Sequence, residues 1–260
     1  MSRLDQELVE RGLALSRSKA QRLIRQGSVT VDGVITIKPS TTVDDAATIA
    51  IAPDDDYVSR GAYKLVGAFE AFGPRGLSRP DGFDCLDIGA STGGFTDVLL
   101  RSGAARVVAL DVGHGQLDPR IASDPRVIEM SGVNIRDVRP GDLPFTPRMI
   151  VSDVSFISLT YVIPVISTIV GPETDIVLLV KPQFEVGRGN LGKNGIVERE
   201  SLRRGALDRV VACAREHGLQ VMATADSPIE GTHGNHEYLL WLQAETSANE
   251  DMVDTTSAGA

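Results

Sequence analysis

The sequence is short of cysteine, of aromatic side chains and of uninterrupted apolar runs. Only two cysteines, Cys85 and Cys213, occur in 260 residues, and both sit in apolar stretches, so a disulfide scaffold is excluded. Ser2-Arg3-Leu4-Asp5 is polar from the start, without the pattern of a signal peptide, which predicts a cytoplasmic protein. The longest apolar stretches, 157–170 and 176–180, are interrupted by Pro164 and bounded by Asp175. Neither reaches the roughly 20 residues that a spanning helix needs, so membrane insertion is excluded. What remains is an ordinary globular mixture, 42% hydrophobic and 23% charged, long enough for one larger domain and a small module.

Basic residues are also in deficit, with a net charge of −9. Taken alone this argues against nucleic acid, because phosphates repel an acidic protein. The distribution argues the other way. Residues 1–38 carry seven bases and four acids, a local charge of +3 that leaves −12 for the remainder. Much of the acid lies in Asp54-Asp55-Asp56 and in a tail holding Glu245, Glu250, Asp251 and Asp254. A small basic module joined to an acidic catalytic or binding domain fits this asymmetry.

The first 52 residues read as one compact unit. Leu4, Leu8, Val9 and Leu13 have helical spacing that ends at Gly12. Ser16 or Ser18 can cap a second helix with Ala20, Leu23 and Ile24 on its apolar face and Gly27 at its end. Two β-branched runs then flank Asp32-Gly33, a dipeptide suited to a tight hairpin. Arg17, Lys19, Arg22 and Arg25 fall on or beside the exposed face of the second helix with no acid among them. A merely solvated face usually carries such acids. The run from Arg3-Leu4-Asp5 through Ser16-Arg17 and Gly27 to Val31-Asp32-Gly33 resembles the S-four (αL) RNA-binding domain throughout. That resemblance implies RNA contacts by Arg3, Arg11, Arg17, Lys19, Arg22 and Arg25.

After a short acidic linker at 54–58, apolar strands alternate with helical segments. Strands are expected at 84–88, 106–111, 126–130, 149–153, 176–181, 220–225 and 238–242. Helices are expected at 62–72, 94–102, 159–170 (bent at Pro164) and 200–217. This alternation predicts a mostly parallel sheet covered on both faces. The tail after Gln243 shows no apolar periodicity and is expected to be loose.

The run Asp84-Cys85-Leu86-Asp87-Ile88-Gly89-Ala90-Ser91-Thr92-Gly93-Gly94-Phe95-Thr96 carries the most chemistry. A buried strand ends in an acid, and a glycine-rich turn then opens a helix whose first N–H groups are unpaired. A second strand ends at Asp111, where a nucleoside ribose can hydrogen-bond. A dinucleotide fingerprint is not met, because Ser91 takes the place of its middle glycine. Gly89-x-Ser91-x-Gly93 does match a hydrolase nucleophile elbow, with Asp153 and His236 following in the required order. No His-Gly-Gly oxyanion sequence precedes it, however, and Asp87 and Asp111 are left without roles. An S-adenosylmethionine site asks less of the loop, since that ligand has no pyrophosphate.

Polar residues mark further strand ends: Asp153 after 149–152 and Lys181 after 176–180. In an open α/β sheet ligands sit beyond the carboxyl ends of the strands, so Asp87, Asp111, Asp153 and Lys181 should line one crevice. Lys64 opens the helix before the first strand. Glu237 begins the last strand, and reaches the same edge if that strand runs antiparallel. His233-x-x-His236-Glu237 lies in a glycine-containing loop rather than on the helix such a metal motif needs, so no metal is expected.

The glycine loop closely resembles that of FtsJ-type methyltransferases. Lys64, Asp153, Lys181 and Glu237 resemble the Lys-Asp-Lys-Glu tetrad of the 2′-O-methyltransferases of that type. An S-four domain followed by this domain is the layout of the TlyA family, once described as haemolysins and understood as ribosomal RNA methyltransferases acting on cytidine 2′-hydroxyls. The resemblance covers residues 3–243. It implies an α/β Rossmann-like methyltransferase fold, mostly parallel with an antiparallel last strand, behind a small α+β module. The implied divisions are 1–53, 54–58, 59–244 and 245–260. It implies S-adenosyl-L-methionine held by Asp87, Gly89, Ala90, Ser91, Gly93, Gly94, Phe95, Asp111 and Asn134, and ribosomal RNA or ribosomal subunits as partner. A ribose hydroxyl is a weak acid, so a lysine must be neutral to take its proton, and burial and a second lysine both favour the neutral form. Lys181 is the expected base, with Lys64 assisting it and Asp153 and Glu237 holding both.

Overall fold

A computed structural model describes residues 2–14, 16–25, 27–51, 57–231 and 234–244, apart from the side chain of Arg22. The acidic residues of the expected linker (54–56), the expected loose tail (245–260) and His233 lie outside the described residues. The chain folds as two compact units, divided after Arg60.

In the first unit, β1 (Ser2–Arg3) leads into α1 (Leu4–Glu10), and α2 (Arg17–Arg25) follows after a turn. Ser16 caps α2, its hydroxyl accepting from the Lys19 N–H at 3.2 Å. Next come β2 (Val29–Val31), β3 (Val34–Ile35), β4 (Thr42–Val43) and β5 (Ile49–Ile51). β2 pairs antiparallel with both β3 and β5, while β1 pairs with β4. Leu4, Leu8, Ala20, Leu23, Ile24 and Val29 form the core, as the helical spacing predicts.

The second unit begins with α3 (Ala62–Phe72), β6 (Asp84–Ile88), α4 (Gly94–Arg101), β7 (Arg106–Asp111), α5 (Pro119–Ala122) and β8 (Val127–Ser131). It continues through β9 (Met149–Ser152), α6 (Ile163–Ile169), β10 (Asp175–Val180) and α7 (Pro182–Glu185) to α8 (Glu200–Glu216), β11 (Leu219–Asp226) and β12 (Tyr238–Ala244). The strands lie in the order β11-β12-β10-β9-β6-β7-β8. β8, β7, β6, β9 and β10 are mutually parallel, and β12 runs antiparallel between β10 and β11. Starting from β6, the chain builds outward through β7 and β8 and then returns to β9 on the other side. The direction reverses at the β6/β9 border, which opens a crevice at the carboxyl ends of those strands.

Strand alternation sorts the two faces. Leu86, Ile88, Ile150, Ile176 and Leu178 pack with Ile163 and Ile166 of α6 and Val210 and Ala214 of α8. On the opposite face Trp241 of β12 stacks on Phe72 of α3, with ring centroids 6.0 Å apart. Its indole N–H donates to the buried Asp175 carboxylate at 2.9 Å, as does the Gln243 amide, pinning β12 against β10.

One expected element takes a different form, and the short α5 and α7 were not expected. In place of a single helix over 159–170 bent at Pro164, a short 3-10 turn (Leu159–Tyr161) precedes α6. Pro164 occupies the first turn of α6, where its missing N–H has no partner to lose and its fixed φ suits a helix start.

Candidate active site

Parallel β9 and β10 end, and antiparallel β12 begins, at one edge of the sheet. Asp153 directly follows β9, and Lys181 follows β10 and caps α7. Val180 pairs with Tyr238, so Lys181 and Glu237 stand side by side. Lys64, in the first turn of α3, completes the group. Its ammonium donates to Glu237 Oε2 at 2.7 Å and lies 3.7 Å from Asp153 Oδ2. The Lys181 ammonium lies 2.6 Å from Asp153 Oδ1 and donates to Ser155 Oγ at 2.9 Å. Its approach to Asp153 is a close charge contact rather than an aligned hydrogen bond, since Oδ1 has no partner in hydrogen-bonding geometry among the described residues. Gln183 Nε2 donates to Glu237 Oε1 at 3.3 Å. Two cations thus share two anions in a largely buried cluster, and mutual pairing offsets the cost of desolvating each.

Two clefts meet at this cluster. One, of about 630 Å³, is lined by Gly89, Ser91, Asp111, Val112, Asn134 and Asp153. The other, also about 630 Å³, is lined by Lys64, Lys181, Gln183, Phe184, Asn235 and Glu237. Ser155 and Phe156 border both. Phe156 is 92% exposed, and its ring centroid lies 5.1 Å from that of Phe184. Its φ of +64° is rare for a bulky residue and marks a constrained backbone.

The glycine loop borders the first cleft. Gly89 has φ +83°, and a Cβ there would press on Val154 at 3.1 Å, so a larger residue would be strained in the backbone and would push on segment 153–157. Ser91 and Gly113 donate backbone N–H groups to Asp111 Oδ2 and Oδ1 at 2.9 and 2.8 Å. Both carboxylate oxygens are thereby aimed while each keeps a lone pair for a hydroxyl. Asn134 also lines the cleft, its side-chain oxygen accepting from the Arg136 N–H at 3.0 Å. An oriented carboxylate, a close glycine approach and the apolar Val112, Val133 and Ile135 together fit a nucleoside.

Other expected cofactor residues lie deeper. Asp87 is wholly buried and accepts from Thr96 Oγ1 of α4 at 2.7 Å, while its other oxygen has no partner among the described residues. Burial pushes its carboxyl up to about 7, with the Asp153 charge adding to the effect. Asp87 is therefore placed to hold α4 against β6 rather than to line the cleft. Phe95 and Gly94 are buried in the first turn of α4, and Gly93 precedes it with φ +91°. Ala90 is buried beside them, where its N–H donates to Leu110 O at 3.1 Å.

The basic residues of the first unit are not uniformly without acids, as the sequence suggested. The buried Asp5 accepts from Arg3 at 2.9 Å, Arg17 at 3.0 Å and Gln21 at 2.8 Å. Arg3 foremost holds its carboxyl well below the ordinary range. Arg11 bonds Glu7 and the backbone oxygens of Asp44, Asp45 and Ala47, so its donors tie the unit together. Arg25 is exposed and Lys19 half-buried on α2.

Ser155, Gln183, Glu185 and the Phe156/Phe184 pair were not singled out from the sequence. All lie within four residues of Asp153 or Lys181, and that proximity was the available signal. The hydrolase alternative is not assembled: His236 is bonded to Asp226 at 3.0 Å and does not line the cleft that holds Ser91. Among the described residues no group of three potential metal ligands converges, and no helix is long and apolar enough to cross a membrane.

The FtsJ-like methyltransferase family matches residues 57–244, and the S4 domain family matches residues 2–49. The 16S/23S rRNA (cytidine-2′-O)-methyltransferase TlyA of Mycobacterium tuberculosis is 46% identical over 94% of this chain and 91% of its own length. The chain belongs to the TlyA family of FtsJ-like methyltransferases. Another relative, Hemolysin A of Brachyspira hyodysenteriae, is 41% identical over 91% of this chain and 98% of its own. A solved hemolysin-named structure from Streptococcus thermophilus superposes with a TM-score of 0.72 at 39% identity, covering 94% of this chain and 88% of that one. A methyltransferase structure from Listeria monocytogenes, at 13% identity and a TM-score of 0.52, shares the fold. The glycine loop and the charged cluster of this TlyA-family chain both lie in the part matched as a methyltransferase.

Proposed function

We propose that the protein transfers a methyl group from S-adenosylmethionine to the 2′-hydroxyl of a cytidine in ribosomal RNA, in the cytoplasm. The observation that carries this reading is the Lys181 ammonium set against Asp153 and Ser155 where the two clefts join. The first cleft takes the nucleoside, with Asp111 accepting from the ribose hydroxyls and Val112, Val133 and Ile135 enclosing the base. S-adenosylmethionine supplies an activated methyl group to the junction. The second cavity takes the target nucleotide, and the exposed Phe156 ring offers a stacking face to an unpaired base.

At the junction Lys181, in its neutral form, accepts the proton of the 2′-hydroxyl as that oxygen bonds to the methyl carbon and the carbon–sulfur bond breaks. The proton remains on Lys181, where Asp153 stabilises the ammonium that forms; bound S-adenosylmethionine would supply the methyl group and would take up the electron pair of the broken carbon–sulfur bond. Ser155 fixes the direction of the Lys181 side chain. Lys64, held by Glu237, orients the hydroxyl from the opposite side. The basic first unit adds phosphate contacts through Lys19, Arg22 and Arg25, with Arg3 and Arg17 presented from Asp5.

Incubating the protein with labelled S-adenosylmethionine and ribosomal RNA, then mapping 2′-O-methyls, tests the reading. A new methyl on one or a few cytidine riboses is expected. Label on a base atom, or none in any ribosomal substrate, contradicts it.

A further inference from the structure

Glu185 ends α7, four residues after Lys181, and is buried although, among the described residues, no cation bonds its carboxylate. A buried carboxylate is costly unless its acceptors are used. Here both are: Oε1 accepts from the Leu159 N–H at 2.9 Å and Oε2 from Ser158 Oγ at 2.5 Å. Ser158 in turn accepts from the Thr160 N–H at 3.1 Å, so the bond reaches the cap of the 3-10 turn beyond it. Burial pushes the Glu185 carboxyl above its ordinary range, as that environment requires. Arg209 of α8 donates to the Glu185 backbone oxygen and anchors the residue from behind.

The partners of Glu185 belong to the segment that begins at Asp153. At the near end of that segment Lys181 bonds Ser155 and approaches Asp153. In the middle Phe156 lies against Phe184. At the far end Glu185 holds Ser158 and Leu159. Three successive links therefore fasten segment 153–159 to α7. This segment walls both clefts, through Val154, Ser155, Phe156 and Ile157 on one side and Ser155 and Phe156 on the other.

We propose that Glu185 is a positioning residue for methyl transfer, clamping segment 153–159 to α7 so that one rigid partition sets the geometry of both clefts. The proposal rests on the function proposed above. Glu185 touches neither reacting atom; it acts by holding Ser155 and Asp153 where they direct Lys181. Misplacing a reacting group by about 1 Å costs on the order of 10²-fold in rate.

The test compares E185A, E185Q and S158A with the wild type in single-turnover methyl transfer, with KM for RNA, calorimetric cofactor affinity and thermal stability measured alongside. E185A should lower kcat by about 10²-fold and raise KM for RNA. E185Q, which keeps an acceptor for Leu159 and a polar group for Ser158, should recover most of the rate. S158A removes one link without altering the buried carboxylate, so it serves if E185A does not fold, and it should show a smaller loss in kcat. Folded E185A or S158A with wild-type kcat and KM, whatever its stability, overturns the clamp and leaves a role in folding only. E185Q as slow as E185A overturns it too, by assigning the role to charge. A wild type inactive on ribosomal RNA instead overturns the proposed function, so the two failures are distinct.

Discussion

Lys64 and Glu237, 173 positions apart, meet at 2.7 Å near the start of the first helix and the start of the last strand of the methyltransferase unit. Glu237 is 2% exposed, and the Lys64 ammonium, beside the Gln183 amide, offsets its charge there. Removing the ammonium alone strands a buried anion, a change that costs about 3–5 kcal/mol. Lys64→Ala should show such a loss in chemical denaturation, and the pair Lys64→Met with Glu237→Gln should recover most of it. A loss below about 1 kcal/mol for Lys64→Ala contradicts the pairing, since it is what exposed pairs give.

The cofactor reading turns on Asp111. Its two oxygens are aimed by Ser91 and Gly113, and hydrogen bonds to a charged group contribute about 1.5–3 kcal/mol. Asp111→Ala should weaken S-adenosylmethionine binding by that amount in calorimetry. Unchanged affinity in a folded variant removes Asp111 from the ribose site.

Asp87 predicts a pH dependence of stability. Its carboxyl titrates near 7 when folded and near 3.9 when unfolded, so between those values the folded state holds a proton that the unfolded state has released. Stability from this group is therefore full below about pH 4 and falls as pH rises toward 7, by at most about 1.4 kcal/mol per pH unit. Asp87→Asn keeps a partner for Thr96 and should flatten that decline. If the wild-type and Asp87→Asn stability curves run parallel from pH 4 to 7, the carboxyl is not raised.

In the RNA-binding unit, Lys19→Ala with Arg25→Ala should flatten the salt dependence of RNA binding by roughly 0.7–0.9 in log–log slope for each lost phosphate contact. Arg11→Ala should leave the slope alone and lower the stability of the unit, because its donors are engaged with Glu7 and the 44–47 backbone. The reverse pattern would make Arg11 the RNA contact and Lys19 and Arg25 bystanders.

Much of the sheet was legible in sequence, for a local reason. β6 and β7 occupy the expected 84–88 and 106–111, because each is an apolar run with a glycine just beyond its end. Lys64, Asp153, Lys181 and Glu237 were grouped by their resemblance to the FtsJ-type tetrad, and the fold brings the four together because they sit at strand ends and a helix start. Three things depended on tertiary placement. The acid compensating Arg17 is Asp5, twelve residues away on another helix, beyond any local charge pattern. Alternation along β6 put Asp87 on the face opposite Leu86 and Ile88, but only the packed helices show that this face meets α4. The four-residue α7 was too short for periodicity to reveal, and with it the link from Glu185 to segment 153–159.

The central claim is that Lys181 takes the hydroxyl proton. Single-turnover methyl transfer by Lys181→Arg tests it most directly, because guanidinium keeps the positive charge beside Asp153 but does not give up its proton to become a base. The account predicts a rate lowered by about 10²–10⁴-fold, as for Lys181→Ala, with both ligands still bound. A near wild-type rate for Lys181→Arg would contradict it, showing that the site needs only a cation at that position.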